Sequence, residues 1–275
     1  MNYRDVTIGI VTFKSEKVIF DCLRSIKKIK NIIILDNSND FDLKNKIAKK
    51  YPLIKFIISK KNQGYGEGNN QILKLCKTTY LLILSPDTIL KKNCEKELIK
   101  AANNNKNKFS IIAPLADKKN LKKKDLYEVD FVKGFAMLLD KKKIKKVGMF
   151  DKNIFLYLEE IDLCRRLKNA GEKIFICRKA NVKHLGAKSS DIGSNYEKVR
   201  NWHWMWSSVY FDKKFNNIFF VYLKYIFKLI KNLLKIIVYL IFFNKKKLFL
   251  LYLRTSGIFN CLIGKESWYR PNLKS

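Results

Sequence analysis

The carboxylates that stand directly after apolar runs are the residues of this chain best suited to chemistry. Asp87 follows the run Tyr80-Leu-Leu-Ile-Leu84 and the turn Ser85-Pro86. A carboxylate there can ligate a divalent cation that bridges diphosphate oxygens, because Mg²⁺ takes one or two carboxylates together with substrate phosphates. The same Asp could equally cap the segment that follows it. Glu159, Glu160 and Asp162 crowd the start of a helix whose Ile161, Leu163 and Leu167 would face a core. Acids at a helix start favour its dipole, but Glu159 and Glu160 project about 100° apart and follow the apolar residues 155–158. A carboxyl group against such a wall would have a raised pKa and could serve as a general base.

Two further features carry polar chemistry. His184, one of only 2 histidines, is followed by Gly186; a lone His is more often structural than a ligand unless its neighbours make a site. The loop Asn62-Gln-Gly64-Tyr-Gly66-Glu-Gly68-Asn-Asn70 fails the G-x-G-x-x-G spacing because position 69 is Asn. It nonetheless opens a helix, whose first amides suit a phosphate or a polar base edge.

The elements that must position these residues alternate. Strands are predicted at 6–12, 32–35, 54–59, 80–84, 110–113 and 173–178. Helices are predicted at 16–28, 42–50, from the Gly-rich turn to about 76, and at 141–147. Near-continuous apolar strands joined by helices mean a mostly parallel sheet covered on both faces, a Rossmann-like α/β layout with ligands at the carboxyl ends of the strands. The segments Asp36-Asn37-Ser38, Asn62-Gln-Gly64 and Ser85-Pro86-Asp87 each follow a strand, so they converge on one crevice. Residues 101–125 read as an Asn- and Lys-rich surface excursion around one short strand.

The bulk numbers bound the partners. The 275 residues carry 57 Lys+Arg against 24 Asp+Glu, a formal charge of +33, which favours polyanions: nucleic acid, anionic lipid or phosphorylated small molecules. The basic residues are spread along the chain and no nucleic-acid-binding signature appears, so nucleic acid is not an expected partner. The six cysteines form no CxxC pair and read as reduced thiols, and no secretory signal is evident at the start.

Taken together and in order, these residues resemble the family 2 glycosyltransferases of GT-A fold, notably the rhamnosyltransferase-like branch, over roughly residues 5–190. The resemblance rests on Ile10-Val-Thr12-Phe13, Asp36-Asn37-Ser38, Asn62-x-Gly64 through Asn70, Ser85-Pro86-Asp87, Gly148-x-Phe150-Asp151 through Arg166, and His184-x-Gly186. It implies an inverting hexosyltransferase that moves a sugar, rhamnose being one option, from a dTDP- or UDP-sugar to a saccharide or lipid-linked acceptor in cell-surface polysaccharide synthesis. Thr12, Phe13, Asp36 and Asn37 would line base and ribose; Asn62, Gly64 and Asn70 would sit beside ribose or diphosphate, with Ser85 nearby. Asp87 and His184 would hold Mg²⁺ or Mn²⁺. Glu160 would be the base, Glu159 the fallback, and Asp162 part of the supporting helix. Two departures stand out: Ser85 replaces the usual Asn or Asp, and Glu160 stands where Asp is more usual. The alternatives are a basic nucleic-acid-binding protein and an inactive GT-A-like scaffold.

The expected division is a catalytic domain over residues 1–194 (nucleotide-sugar binding 1–115, acceptor and catalytic part 116–194) and a helical, membrane-associating region over 195–275. Within the latter, Lys224, Lys228, Lys231 and Lys235 share one helical face of an otherwise apolar segment. Its longest uninterrupted apolar run, residues 236–243, falls far short of the ~20 residues a spanning helix needs. The segment 215–263 is therefore expected to lie on an anionic membrane surface at its cytoplasmic face, with a helix packed on the catalytic domain as the other option. Trp202, Trp204 and Trp206 suit a headgroup layer, an acceptor groove or a core equally well.

Overall fold

A computed structural model describes residues 1–116, 124–186 and 188–270; residues 117–123 of the expected surface excursion lie outside the described residues. The chain divides into two compact units, one of Met1–Asp151 with Glu159–Asp191, the other of Lys152–Leu158 with the residues from Ile192 onward.

In the first unit the elements run β1 (Val6–Thr12), α1 (Glu16–Ser25), β2 (Asn31–Asp36), α2 (Phe41–Lys50), β3 (Lys55–Ile58), α3 (Tyr65–Leu75), β4 (Tyr80–Leu84), β5 (Thr88–Leu90), α4 (Cys94–Asn104), β6 (Ile111–Leu115), β7 (Leu126–Glu128), β8 (Ala136–Asp140), α5 (Lys141–Lys146), α6 (Glu159–Asn169) and β9 (Ile174–His184). Among the described residues they build one nine-stranded sheet in the order β3-β2-β1-β4-β8-β6-β9-β5, with β7 also on β9. The pairings β3-β2, β2-β1 and β1-β4 are parallel, as the apolar runs predict. From β8 onward the sheet is mixed: β8 is antiparallel to both β4 and β6, while β6 and β9 run parallel. The expected parallel layout thus holds for one half of the sheet.

Alternation along buried strands sorts the core into two layers. Ile8, Ile10, Leu82 and Leu84 face α1, α2 and α4. Val11, Leu81, Ile83 and Met137 face α3, α5 and α6. Gly9 lets α3 close on β1, since a Cβ there would meet Ile72 Cγ2 at 2.8 Å. Helix α1 stops at Ser25, three residues before the predicted end. The buried Glu95 carboxylate on α4 accepts the amides of Lys27, Lys28 and Ile29, at 2.8 Å for Ile29, and so draws the chain out of the helix. Strand β9 is longer than the predicted 173–178, because pairing with β5 extends its ladder to His184.

The second unit consists of α7 (Asn195–Phe215), α8 (Ile218–Ile241) and α9 (Lys245–Leu262), with the segment Lys152–Leu158 packed among them. Trp202 and Trp206 fill its core and bond Ser256 Oγ and the Lys265 carbonyl through their indole N–H groups, whereas Trp204 is half exposed. Helices α7 and α9 touch backbone to backbone. A Cβ on Gly257 would lie 2.5 Å from the Trp202 carbonyl oxygen. All six cysteines are buried free thiols; burial pushes those of Cys22, Cys94, Cys164 and Cys261 up to about 12.

Because Trp202 and Trp206 approach Gly257 through backbone atoms, which cannot rotate away, Gly257→Ala must push the helices apart. Overpacking of this kind costs about 1–3 kcal/mol, and urea unfolding followed by tryptophan fluorescence should show a lowered midpoint.

Candidate active site

The carboxyl ends of β1, β2, β3 and β4 lie along one edge, since Thr12 pairs with Asp36, Asp36 with Ile58, and Ile10 with both Ile34 and Leu84. Three sequence-predicted loops therefore start at one edge. Asp36 is fully buried and holds the first of them: its carboxylate accepts Thr12 Oγ1 at 2.8 Å, Ser38 Oγ at 2.7 Å, and the amides of Ser38 and Asp40 at 3.0 Å each. Asn37 reaches into the second loop, donating to the Gly64 carbonyl at 3.0 Å, while Asn62 Oδ1 accepts the Gly64 amide. Gly68 admits this contact, because a Cβ there would meet Val11 at 2.9 Å and Asn37 Nδ2 at 3.5 Å. Phe13, at the end of β1, is partly exposed. Asn70, also predicted to meet ligand, spends its amide on the Phe150 backbone, donating to its carbonyl and accepting from its N–H at 2.9 Å.

The third loop carries Asp87. Its Oδ1 accepts Ser85 Oγ at 2.6 Å and lies 3.3 Å from His184 Nε2; its Oδ2 is buried without a partner. The short ladder of β5 on β9, which pairs Thr88 with His184, brings this distant histidine in. Phe135 stacks on the imidazole with centroids 4.3 Å apart. Burial opposes the Asp87 charge, but the bonds from His184 and Ser85 prevail and hold its pKa below the ordinary carboxylate value.

Helix α6 brings the other carboxylates. Two left-handed non-glycine residues, Tyr157 and Leu158, each with φ of 68°, precede it. Glu159 packs beside Gly66, where a Cβ would lie 3.4 Å from its own. Glu160 packs equally closely on Gly134. Each has a buried Oε2 with no hydrogen-bond partner. Burial raises the pKa of Glu159 well above the usual range, and the neighbouring Glu160 charge adds to it. Burial also raises Glu160, while the amides of Glu160, Gly134 and Ile161 pull it back in part. Asp162 is fully buried and pairs with Arg166 at 2.7 Å, and Arg166 in turn donates to the Val147 and Met149 carbonyls.

Tyr65, the first residue of α3, is electrostatically linked to three acids. The charges of Glu159, Glu160 and Asp87 all act on its phenol, although burial is the larger cause of its raised pKa. Tyr65 belongs to the Gly-rich motif but has no role assigned by sequence; Gly134 and Phe135 carry no sequence signal. The described residues hold no group of three or more His, Cys, Asp or Glu side chains shaped for an ion. Asp87 and His184 instead suit an ion that takes its remaining ligands from phosphate oxygens and water. The unpartnered Asp87 Oδ2 is the donor such an ion requires.

A crevice of this kind, at the carboxyl edge of a half-parallel sheet with acids from β4 and α6, defines a GT-A nucleotide-sugar transferase. Residues 7–164 match the model of Glycosyl transferase family 2. The chain belongs to that family, and its chemistry is glycosyl transfer from a nucleotide sugar in glycan synthesis. It is 24% identical over 209 residues to the low-salt glycan biosynthesis hexosyltransferase Agl10 of Haloferax volcanii, covering 66% of this chain and 67% of that protein. It is 26% identical over 210 residues to the rhamnosyltransferase WbbL of Escherichia coli K12, covering 62% of this chain and 78% of WbbL. Among solved structures, the mannosyltransferase PcManGT of Pyrobaculum calidifontis, in complex with GDP-Man and Mn²⁺, superposes with a TM-score of 0.62 at 9% identity, over 94% of this chain and 88% of that one.

A glutamate whose folded pKa is raised stabilises the fold only while protonated. That contribution is complete below the unfolded pKa of about 4.3 and is lost as pH rises through the higher folded value. Every tenfold change in proton affinity is worth about 1.4 kcal/mol. Glu159→Gln removes one of the two raised groups, so the fall in melting temperature between about pH 5 and about pH 8 should be smaller in the variant than in the native protein, as measured by calorimetry.

Proposed function

We propose that the chain is an inverting, metal-assisted hexosyltransferase acting at an anionic membrane surface on the cytoplasmic side. The observation that carries the catalytic part is the set of three buried carboxylate oxygens without partners, Asp87 Oδ2, Glu159 Oε2 and Glu160 Oε2, on residues whose charges all act on the Tyr65 phenol. Leaving such atoms unsatisfied is costly, and a cationic or hydroxyl-bearing ligand would satisfy them. Asp87 and His184 would hold a divalent cation. When bound, that ion supplies charge neutralisation to the departing nucleoside diphosphate. The Asp36–Asn37 loop and the Asn62–Gly64 turn would receive the base and ribose of a dTDP- or UDP-sugar; Asp36, with all its acceptors used, would act by holding the loop in shape.

Glu160 takes the proton of the acceptor hydroxyl, and that oxygen attacks the anomeric carbon from the face opposite the leaving diphosphate, with inversion. The two glutamates divide by environment. Glu159 is the more deeply buried, burial raises its pKa well above the usual range, and it forms part of the wall. Glu160, steadied by three amides, is the one able to cycle. Rhamnose as the sugar fits the similarity to the rhamnosyltransferase WbbL; a lipid-linked saccharide as acceptor would suit an enzyme held at a membrane surface.

Helix α8 supports the membrane reading. Val221, Tyr225 and Asn232 are its buried residues, and Asn232 donates to Thr255 on α9. At 100° per residue the four lysines occupy an arc of about 60° beside that contact. An apolar arc of about 160°, including the exposed Ile226, Phe227, Ile230, Leu234 and Ile237, has no protein cover within the unit. The chain has no acidic residue between Asp212 and Glu266. Bulky apolar cover flanked by lysine and free of acid is complementary to an anionic leaflet. Among the described residues no helix is long and apolar enough to cross a membrane.

Two measurements test these readings. Glu160→Gln should lower transfer by about 10²- to 10⁴-fold while calorimetric binding of a UDP- or dTDP-sugar with Mn²⁺ stays close to native; an active variant would move the base elsewhere. Replacing Lys224, Lys228, Lys231 and Lys235 by Gln should weaken co-sedimentation with phosphatidylserine-containing vesicles by at least ~10-fold, each lysine being worth about 1 kcal/mol. Equal binding by native protein and variant would refute the surface reading.

A further inference from the structure

Tyr65 makes a contact that none of the donor-binding or proton-transfer roles above requires. Its hydroxyl donates to the Gly134 carbonyl at 2.8 Å. Gly134 is also the floor on which Glu160 rests: a Cβ there would lie 3.4 Å from Glu160 Cβ and 3.5 Å from its Cγ and Cδ. The Gly134 amide favours the charged form of the Glu160 carboxylate. One residue thus receives a hydrogen bond from α3 and supports the proton acceptor on α6. It joins two elements far apart in sequence within a single unit.

We infer that Tyr65 is a positioning residue for Glu160: by holding Gly134 in place it keeps the backbone amide aimed at the carboxylate. This rests on reading Glu160 as the base. The phenol suits the task because it must remain a donor throughout the working pH range. Desolvation and the charges of Glu159, Glu160 and Asp87 keep it protonated, whereas a charged donor at the same place would pair with the acids and neutralise the base. The ionisable groups that face Glu160 are Glu159 and Cys164 on its own helix and Tyr65 on α3. Among these Tyr65 is the one that reaches it through a backbone group.

The test separates this inference from the assignment of the base. Protein labelled with ¹³C at glutamate carboxyl carbons gives a Glu160 resonance identified by its loss in Glu160→Gln, and its titration is followed in native protein and in Tyr65→Phe. Losing the hydroxyl should free Gly134, weaken the amide bond and raise the Glu160 pKa by about one pH unit. The loss of transfer should then be largest at low pH and shrink as pH rises, whereas mere loosening of the fold would lower the rate equally throughout. An unchanged Glu160 titration in a folded Tyr65→Phe protein would overturn the inference while leaving the base assignment intact. Should that variant fail to fold, Gly134→Ala, which sets a methyl against the glutamate stem, is expected to shift Glu160 the same way, and its failure to do so would overturn the inference equally. An active Glu160→Gln enzyme would instead remove the base reading on which it stands.

Discussion

Strand β1 is parallel to a neighbour on each side and buried along its whole length. Parallel strands need crossover connections, so the loops after β1, β2 and β3 each begin a helix on a face of the sheet, while the Asp87 loop after β4 passes into the short β5. Register then fixes the height at which these loops emerge. The Asp36 turn, the Gly-rich entry to α3 and the Asp87 loop meet because Ile10 stands level with Ile34 on one side and Leu84 on the other. A slip of one residue would turn Ile8 and Ile10 from the α1 layer to the α3 layer and scatter the loops with them.

The mixed half of the sheet answers a different need. An antiparallel β8 beside β4 returns the chain so that Gly134 and Phe135, just before β8, arrive next to Ser85 and Asp87, just after β4. The bond from the Ser85 amide to the Phe135 carbonyl, 2.8 Å long, ties the two ends. From that junction Phe135 turns to His184 and Gly134 to Glu160 and Tyr65. The crevice is acidic and poorly solvated, in a chain whose overall charge is strongly positive. The positive surface field favours phosphorylated ligands, and on the reading proposed above the interior acids would handle a proton and a cation.

The strands and the three loops were legible in sequence because buried parallel strands are written as unbroken apolar runs with polar residues at their ends. The Rossmann-like layout follows from their alternation with helices, and the GT-A expectation from the resemblance carried by the motifs. What escaped was set by tertiary contacts. The three-residue strands β5 and β7 have no periodicity to read and exist because β9 offers an edge. The direction of β8 is invisible in its apolar residues, since burial on both faces looks alike in either sense. Glu95 resembles any exposed helix residue, yet it is buried because three amides left over at the end of α1 need an acceptor. Tyr65 and Gly134 gain meaning only as a pair, 69 residues apart. In the C-terminal unit the lysine spacing was plain, whereas the fates of Trp202, Trp204 and Trp206 depended on which flank of α7 faces α9.

The cysteines give the molecule an unplanned set of reporters. Thiolate is the reactive form, so sulfhydryls that are buried and push their ionisation to about 12 are silent toward alkylating reagents until the chain around them opens. Cys261 is the one buried thiol among the C-terminal helices, and the other five buried thiols lie in the first unit. Pulsed alkylation followed by peptide mass analysis would therefore clock the breathing of each unit separately, in the native sequence and without any engineered label.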